Sequence, residues 1–287
     1  MGIAKRWQVA VAAGIAALGI GALLAACTQP EPQPQASCTL TKDDPIRIVT
    51  YNIRIARGLE DPGRRPPVLA LQPEEIAPVV AAIASLDPDV VALQEVLGAR
   101  QADRIAEQLG MRAVTALHPS YVPWWGVSVL SKCPITLLDT PVVSPGPTDG
   151  KRAAVARIDL VDGPIAVASI HKDTDLRDGT SLDRISLAAE AIDMPLVLAG
   201  DFNLRPDDDR FKRLGRKWRD SALEAKGQGA ERAQTEGTFV SGKPRRIDYI
   251  FVDETVMQVE DVKLADPVHD TASDHRAYLA VVRLNDG

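Results

Sequence analysis

No serine or cysteine nucleophile motif stands out in this sequence, so a hydrolytic reading has to rest on direct attack by water rather than on a covalent enzyme intermediate. An excess of positive charge is missing too. The chain carries 33 Lys and Arg against 39 Asp and Glu, a formal net charge of −6. Without the first 26 residues, which hold Lys5 and Arg6 and no acid, the charge is about −8, from 31 basic and 39 acidic residues. A surface that acidic repels phosphate polyanions at long range, so nucleic-acid binding would need a local basic patch or a metal. Cysteine is nearly absent: Cys27 lies in the N-terminal segment, and only Cys38 and Cys133 fall in the folded region. In an exported protein those two either form a disulfide or remain free thiols. Of the four histidines, His118 and His269 read as ordinary loop residues. No composition break follows residue 40, so 287 residues with 45% hydrophobic content imply one large α/β domain with a full core.

The N-terminus has the form of an export signal, with Lys5 and Arg6 ahead of an uncharged Ala/Gly/Leu/Ile stretch over residues 9–26. Leu24-Ala25-Ala26-Cys27 resembles the lipobox of bacterial lipoproteins, which implies cleavage before Cys27 and a lipid on that cysteine. An uncleaved transmembrane anchor is the alternative. Both place the domain outside the cytoplasm on a membrane. The expected organisation is a signal peptide (1–26), a lipidated cysteine with an extended Pro/Gln-rich linker (27–42), and a catalytic domain (43–287).

Within the domain, apolar β-branched runs predict strands at residues 46–53, 89–95, 112–117, 126–131, 135–143, 152–160, 165–171, 195–201, 246–252, 256–264 and 277–283. Helical periodicity predicts helices from Pro73, from Ala99 and over 182–192, with Pro78 an awkward interior residue. A polar region spans 207–237, where a substrate-selecting loop has room to sit. The number of strands and their mixed spacing argue for an α/β sandwich rather than a regular βαβ winding. Tyr121-Val122-Pro123-Trp124-Trp125 sets three aromatics in one loop, either as a stacking or membrane-dipping surface or with a tryptophan in the core.

Several predicted strands end in polar groups: Asn52, Glu95, His171, Asp201 with Asn203, and Asp248 followed by Ser273-Asp274-His275. Each alone is an ordinary turn or solvated residue. Together they are what hydrolysis of a phosphate ester needs. Carboxylates such as Glu95 and Asp274 offer hard oxygen ligands to Mg²⁺. Asp201 is placed to orient or deprotonate water, Asn203 to hold it or a phosphate oxygen, and the two histidines to donate to phosphoryl oxygens, with Asp248 fixing the tautomer of one.

Tyr51-Asn52-Ile53-Arg54, Val91-Ala92-Leu93-Gln94-Glu95-Val96, Gly126-Val127-Ser128-Val129-Leu130-Ser131-Lys132, Ser169-Ile170-His171, Gly200-Asp201-Phe202-Asn203, Arg246-Ile247-Asp248-Tyr249-Ile250-Phe251 and Ser273-Asp274-His275 follow one another in an order that resembles the endonuclease/exonuclease/phosphatase superfamily. The resemblance implies a four-layer α/β sandwich, two mixed β-sheets packed face to face with helices on the outer faces. It also implies a metal site at one end holding Mg²⁺ or Mn²⁺. Carried over by position, it makes Glu95, Asn52 and Asp274 the metal-site residues, and His171, Asp201, Asn203, Asp248 and His275 catalytic. It leaves open whether Asp201 or the Asp248/His275 pair is the general base. Two features depart from the family pattern: Lys172 replaces the usual apolar residue after His171, as a contact to a second phosphate or as a solvated lysine, and the segment from His171 to Asp201 is short. Arg152 begins a strand where the family often has a basic residue and is a weak substrate contact. The implied protein is a metal-dependent phosphoesterase. Its substrate is nucleic acid, a phospholipid such as sphingomyelin, or a small phosphate ester, and a non-catalytic binding or adhesion protein on the same scaffold is the other class.

Overall fold

In β1 (Ile46–Asn52), Ile46 and Ile48 point into one apolar cluster while Val49 and Tyr51 point into another, so this strand is buried on both faces. The computed structural model describes residues 38–59, 72–118, 125–145, 150–174 and 179–285. The proposed signal peptide with Cys27, nearly all of the linker, and Tyr121 to Trp124 of the aromatic loop lie outside the described residues. All described residues belong to one unit.

The strands that follow are β2 (Val90–Leu97), β3 (Arg112–Leu117), β4 (Trp125–Ser131), β5 (Ile135–Asp139), β6 (Val142–Ser144), β7 (Lys151–Arg152), β8 (Ala154–Leu160), β9 (Gly163–His171), β10 (Leu196–Asp201), β11 (Trp218–Asp220), β12 (Asp248–Asp253), β13 (Met257–Leu264) and β14 (Tyr278–Leu284). One six-stranded sheet has the order β13-β14-β1-β2-β4-β3, the other β11-β12-β10-β9-β8-β5, and β6 pairs with β7 apart from them. Both large sheets mix parallel and antiparallel pairs. The expected four layers are present. One cluster, with Ile48, Val129, Val167 and Ile250, fills the space between the sheets. Helices α1 (Pro73–Ala84) and α2 (Gly98–Gln108) cover the first sheet, with Ile76, Val79 and Ile105 in the outer cluster. Helix α3 (Thr180–Glu190) covers the second through Leu182 and Ile185.

α1 runs through Pro78 because that residue lies on the exposed face, where the carbonyl it leaves without an amide partner can reach water. Other sequence expectations need correcting. The 135–143 run divides into β5 and β6 at Thr140-Pro141, the 152–160 run breaks at Ala153, and Arg246-Ile247 precede β12 rather than open it. The polar 207–237 region is folded: it holds a 3-10 turn (Asp209–Leu214), β11, α4 (Ser221–Glu224) and α5 (Gln228–Thr235). Its Ala222, Ala225, Ala230 and Ala233 pack into the inter-sheet core, and Asp220 makes a buried bidentate pair with Arg246. A disulfide joins Cys38 to Cys133 and so fastens the start of the domain to the turn after β4.

Candidate active site

Strand alternation places the site. Along β10, Val197, Ala199 and Asp201 share the inner face, and along β12 Asp248, Ile250 and Val252 do the same. Asp201 is in register with His171 on one side and Asp248 on the other, so three titratable side chains form a row across the end of the second sheet. Gly200 lets β10 approach β9, since a Cβ there would stand 2.0 Å from the Ile170 carbonyl oxygen.

The facing sheet contributes Asn52, on the same face as Ile46 and Ile48, and Glu95. By simple alternation Glu95 would follow Val91 and Leu93 to the helix side. The irregular pairing between Leu93 and Val96, with Glu95 at φ 54°, turns it inward instead. The Asn52 amide then joins the sheets: Nδ2 donates to Glu95 Oε1 at 3.0 Å and to Asp201 Oδ2 at 3.1 Å, while Oδ1 accepts the Arg54 backbone N–H. The other oxygen of Asp201 accepts the Asn203 backbone N–H at 2.9 Å. Asn203 tolerates its φ of 51° as few residues do, and its side-chain amide donates to the Lys172 carbonyl.

Asp201 stands between two buried histidines. His275 Nε2 is 3.8 Å from Asp201 Oδ2, and its Nδ1 is 2.9 Å from Asp248 Oδ2. Burial works against its charge, but Asp248 and then Asp201 outweigh that and hold the imidazolium up to about 10. On the other flank His171 Nε2 lies 3.7 Å from Asp201 Oδ2, 3.8 Å from Glu95 Oε1 and 3.0 Å from Lys151 Nζ. Burial, then Lys151, push this imidazole well below its ordinary value. Asp201 itself is raised to about 7, by burial first and the Asp248 carboxylate second. Ser273 ties the last motif down, donating to the Asn52 carbonyl and accepting the His275 N–H. Asp274 faces the Arg54 guanidinium at 3.6 Å.

The structure therefore gathers Asn52, Glu95, His171, Asp201, Asp248 and His275, with Asn203 and Asp274 on the adjoining turns. Lys172 is not a solvated lysine. It is fully buried, its Nζ donates to the Asp173 carbonyl, and burial followed by Arg210 lowers its pKa. Arg152 donates through its guanidinium to the Thr140 carbonyl and through its backbone N–H to His118 Nδ1. Trp125 packs against Ile55 and Leu97. Two residues escaped the sequence reading. Lys151 sits beside Arg152 on β7, and alternation along that strand was the only available hint that one of the pair faces inward. His118, read as a loop residue, is 3% exposed, and burial with Lys151 and Arg152 lowers it to about 4.

The donor set fits a hard divalent cation. Glu95 and Asp274 are partly exposed carboxylates, with side chains 19% and 21% accessible, so an ion arriving from solvent can reach their oxygens. Asp201, Asp248 and His275 also offer ligand atoms within 4.8 Å of one another. That trio better suits a proton, because its imidazole is engaged with Asp248 and held cationic.

No curated protein sequence matches the chain. Among solved structures, an endonuclease/exonuclease/phosphatase from Bacteroides vulgatus superposes with a TM-score of 0.65 at 18% identity, covering 84% of this chain and 100% of its own. The mannosyl-6-phosphatase Bt3783 of Bacteroides thetaiotaomicron gives 0.63 at 16%, covering 84% and 100%. TDP2 of D. rerio, solved with a single-strand DNA product, gives 0.59 at 15% with the same coverage. At these identities the likeness establishes the fold. The sequence model of the Endonuclease/Exonuclease/phosphatase family matches residues 49–275, spanning every motif assembled above from Tyr51 to His275, and by that match the chain belongs to this family.

Proposed function

We propose that this chain is a metal-dependent phosphoesterase that cleaves a P–O bond by in-line attack of water, and that Asp201 is its base. The observation that carries the reading is the position of Asp201 between a histidine held cationic and a histidine held neutral, 3.8 and 3.7 Å from the same oxygen. With a raised pKa, Asp201 is a competent proton acceptor near neutral pH. Asn52 and the Asn203 N–H fix both of its oxygens. In the step itself, the water oxygen bonds to phosphorus, its proton passes to Asp201, and the ester P–O bond breaks. His275 Nε2–H gives its proton to the departing oxygen, and Asp248 supports the imidazolium beforehand. Mg²⁺ or Mn²⁺ held by Glu95, with Asn52 and Asp274 beside it, would neutralise charge on the phosphoryl oxygens.

The substrate is a phosphate ester. Relatives of this fold include a sugar phosphatase and a protein solved with single-strand DNA, and the net charge of −6 disfavours a long polyanion over a small ester or a lipid headgroup. The reading also includes export and anchoring through a lipid on Cys27, which the apolar N-terminal stretch and the Cys38–Cys133 disulfide support, since such bonds persist in oxidising compartments.

The test is turnover by the chain from Ser37 onward with Mg²⁺ or Mn²⁺ on DNA, RNA, sphingomyelin and a sugar phosphate. Chelator and Asp201→Ala should each abolish it. A folded, metal-loaded protein that turns over none of them is a binding protein on this scaffold. For the anchor, a mass spectrum of the mature protein that still contains Met1 removes the lipoprotein reading.

A further inference from the structure

Lys151, His171 and His118 build one corner of the site, and its chemistry, which rests on the phosphoesterase reading, names the kind of ester. An ammonium has donors and no acceptor, so across the 3.0 Å contact Lys151 Nζ donates and His171 Nε2 accepts. His171 then carries its proton on Nδ1. Its Nε2 is the atom nearest Glu95 and Asp201, yet in this arrangement it has no hydrogen to offer a phosphoryl oxygen. The donor that this corner presents is Lys151.

His118 repeats the logic one strand away. Its Nδ1 accepts the Arg152 backbone N–H at 3.0 Å, so the neutral ring bears its hydrogen on Nε2. That Nε2 is buried and has no hydrogen-bond partner among the described residues. A buried N–H without an acceptor is costly, and such a group is retained where something else supplies the acceptor. β7 brings the two donors together: Lys151 reaches the end of β9, and the next backbone N–H holds the ring that follows β3. His171 and His118 are therefore held by adjacent residues of the same short strand, Lys151 and Arg152. A cation and a neutral N–H donor thus border an otherwise carboxylate-rich site, in a chain with an excess of acids.

We propose that Lys151, anchored on His171 Nε2 and accompanied by the His118 Nε2–H, forms an oxyanion-binding corner that selects phosphomonoesters over phosphodiesters. The physical reason is charge. A terminal phosphate is a dianion with three non-bridging oxygens, whereas a diester is a monoanion with two. A fixed ammonium beside the catalytic carboxylates therefore favours the former, both by attraction and by offering a partner for the extra oxygen.

The experiment uses the full chain in detergent and has two arms. The first measures inorganic phosphate binding in the presence of chelator by calorimetry, for wild type, Lys151→Met, Lys151→Arg and His118→Phe. Lys151→Met should weaken binding about 10- to 100-fold, the size expected for one charge-assisted hydrogen bond. Lys151→Arg should recover part of that loss, and His118→Phe should show a smaller one. The second arm compares kcat/KM with Mg²⁺ on p-nitrophenyl phosphate and bis(p-nitrophenyl) phosphate. Lys151→Met should lower the monoester value at least about 10-fold more than the diester value. Unchanged phosphate affinity in Lys151→Met, or equal losses on the two esters, overturns the proposal. Thermal midpoints of the variants guard against misfolding, and Lys151→Arg keeps the test alive if the methionine variant is unstable. Wild-type turnover with an indifferent Lys151→Met sinks this corner and leaves the phosphoesterase reading standing. Lys151-dependent phosphate binding without turnover of either ester does the reverse.

Discussion

His275 and His171 occupy mirror positions about one carboxylate, and they could hardly differ more. Both are buried, and both set Nε2 within 3.8 Å of Asp201 Oδ2. Burial alone would make both neutral. His275 escapes because Asp248 reaches its Nδ1 from the neighbouring strand, whereas His171 meets an ammonium at its Nε2 and stays neutral. The register of β10 with β12 supplies one partner and the two-residue β7 supplies the other. The difference teaches that protonation here is decided by what the third element delivers, not by how deep the histidine lies.

The largest effect should come from removing that difference on the cationic side. Asp248→Asn keeps the shape and deletes the charge, and His275→Gln deletes the acid. Each should lower kcat by about 10²- to 10⁴-fold, the usual contribution of a positioned acid or base. In the wild type, kcat/KM should fall on the alkaline side as His275 loses its proton near 10. An alkaline limb that persists unchanged in His275→Gln would falsify its assignment as the acid. On the neutral side, Glu95→Gln should raise the Mg²⁺ concentration needed for half activity by about 10- to 100-fold. It should leave chelator-condition phosphate binding close to wild type, since that binding is assigned to Lys151.

How much of this contrast was legible beforehand follows from geometry. Asn52 and Asp201 close their strands and Asp248 opens its own, so parity along each strand sends them to the inner face. The Asp248/His275 pairing came from the family resemblance, position by position, and their 2.9 Å contact agrees with it. Glu95 was found by its motif, while its inward turn depends on an irregularity that breaks the very alternation a sequence reading relies on. Lys151 and His118 were out of reach, because their neighbourhood depends on which residues a two-residue strand pairs with. Arg152 drew attention in place of its neighbour for the same reason. The 207–237 region hid its packing: the alanines that fill the core from α4 and α5 are too small to give a strong apolar period among so many charges.

A smaller effect tests the same contrast through stability. The folded-state pKa of His275 lies above its ordinary value, so its contribution is fully present below about 6.5 and is lost as pH rises through about 10. Asp201 is raised as well, so its contribution is greatest at acid pH and is gone above about 7. Of these two, only His275 acts between about 7 and about 10, while Lys172, lowered by burial, acts in the opposite sense below its ordinary value. The test is therefore the difference between proteins: thermal midpoints in chelator should fall more, or rise less, across that interval in the wild type than in His275→Gln. Midpoints of the two proteins that run parallel from about pH 7 to about 10 contradict the cationic assignment.

The smallest expected change concerns what holds the two flanks at matched distances. Ser169, two residues before His171 on the same face, donates to the Leu93 carbonyl at 2.8 Å and accepts from Gln94 Nε2 at 3.0 Å, so it links the sheets directly beneath the site. Gln94 in turn accepts from Thr50 and donates to the Ala92 carbonyl. Ser169→Ala removes both bonds and leaves a buried carbonyl and a buried amide hydrogen short of a partner, a loss of about 1–3 kcal/mol. For a domain of this size that corresponds to a fall in Tm of roughly 2–12 °C. Because the link carries no charge, it should not move the alkaline limb set by His275. Its effect on kcat should stay below about 10-fold, since Asn52 still bridges Glu95 and Asp201. A shifted alkaline limb in Ser169→Ala would mean that the spacing between the sheets, and not the Asp248 carboxylate, keeps one histidine charged and the other neutral.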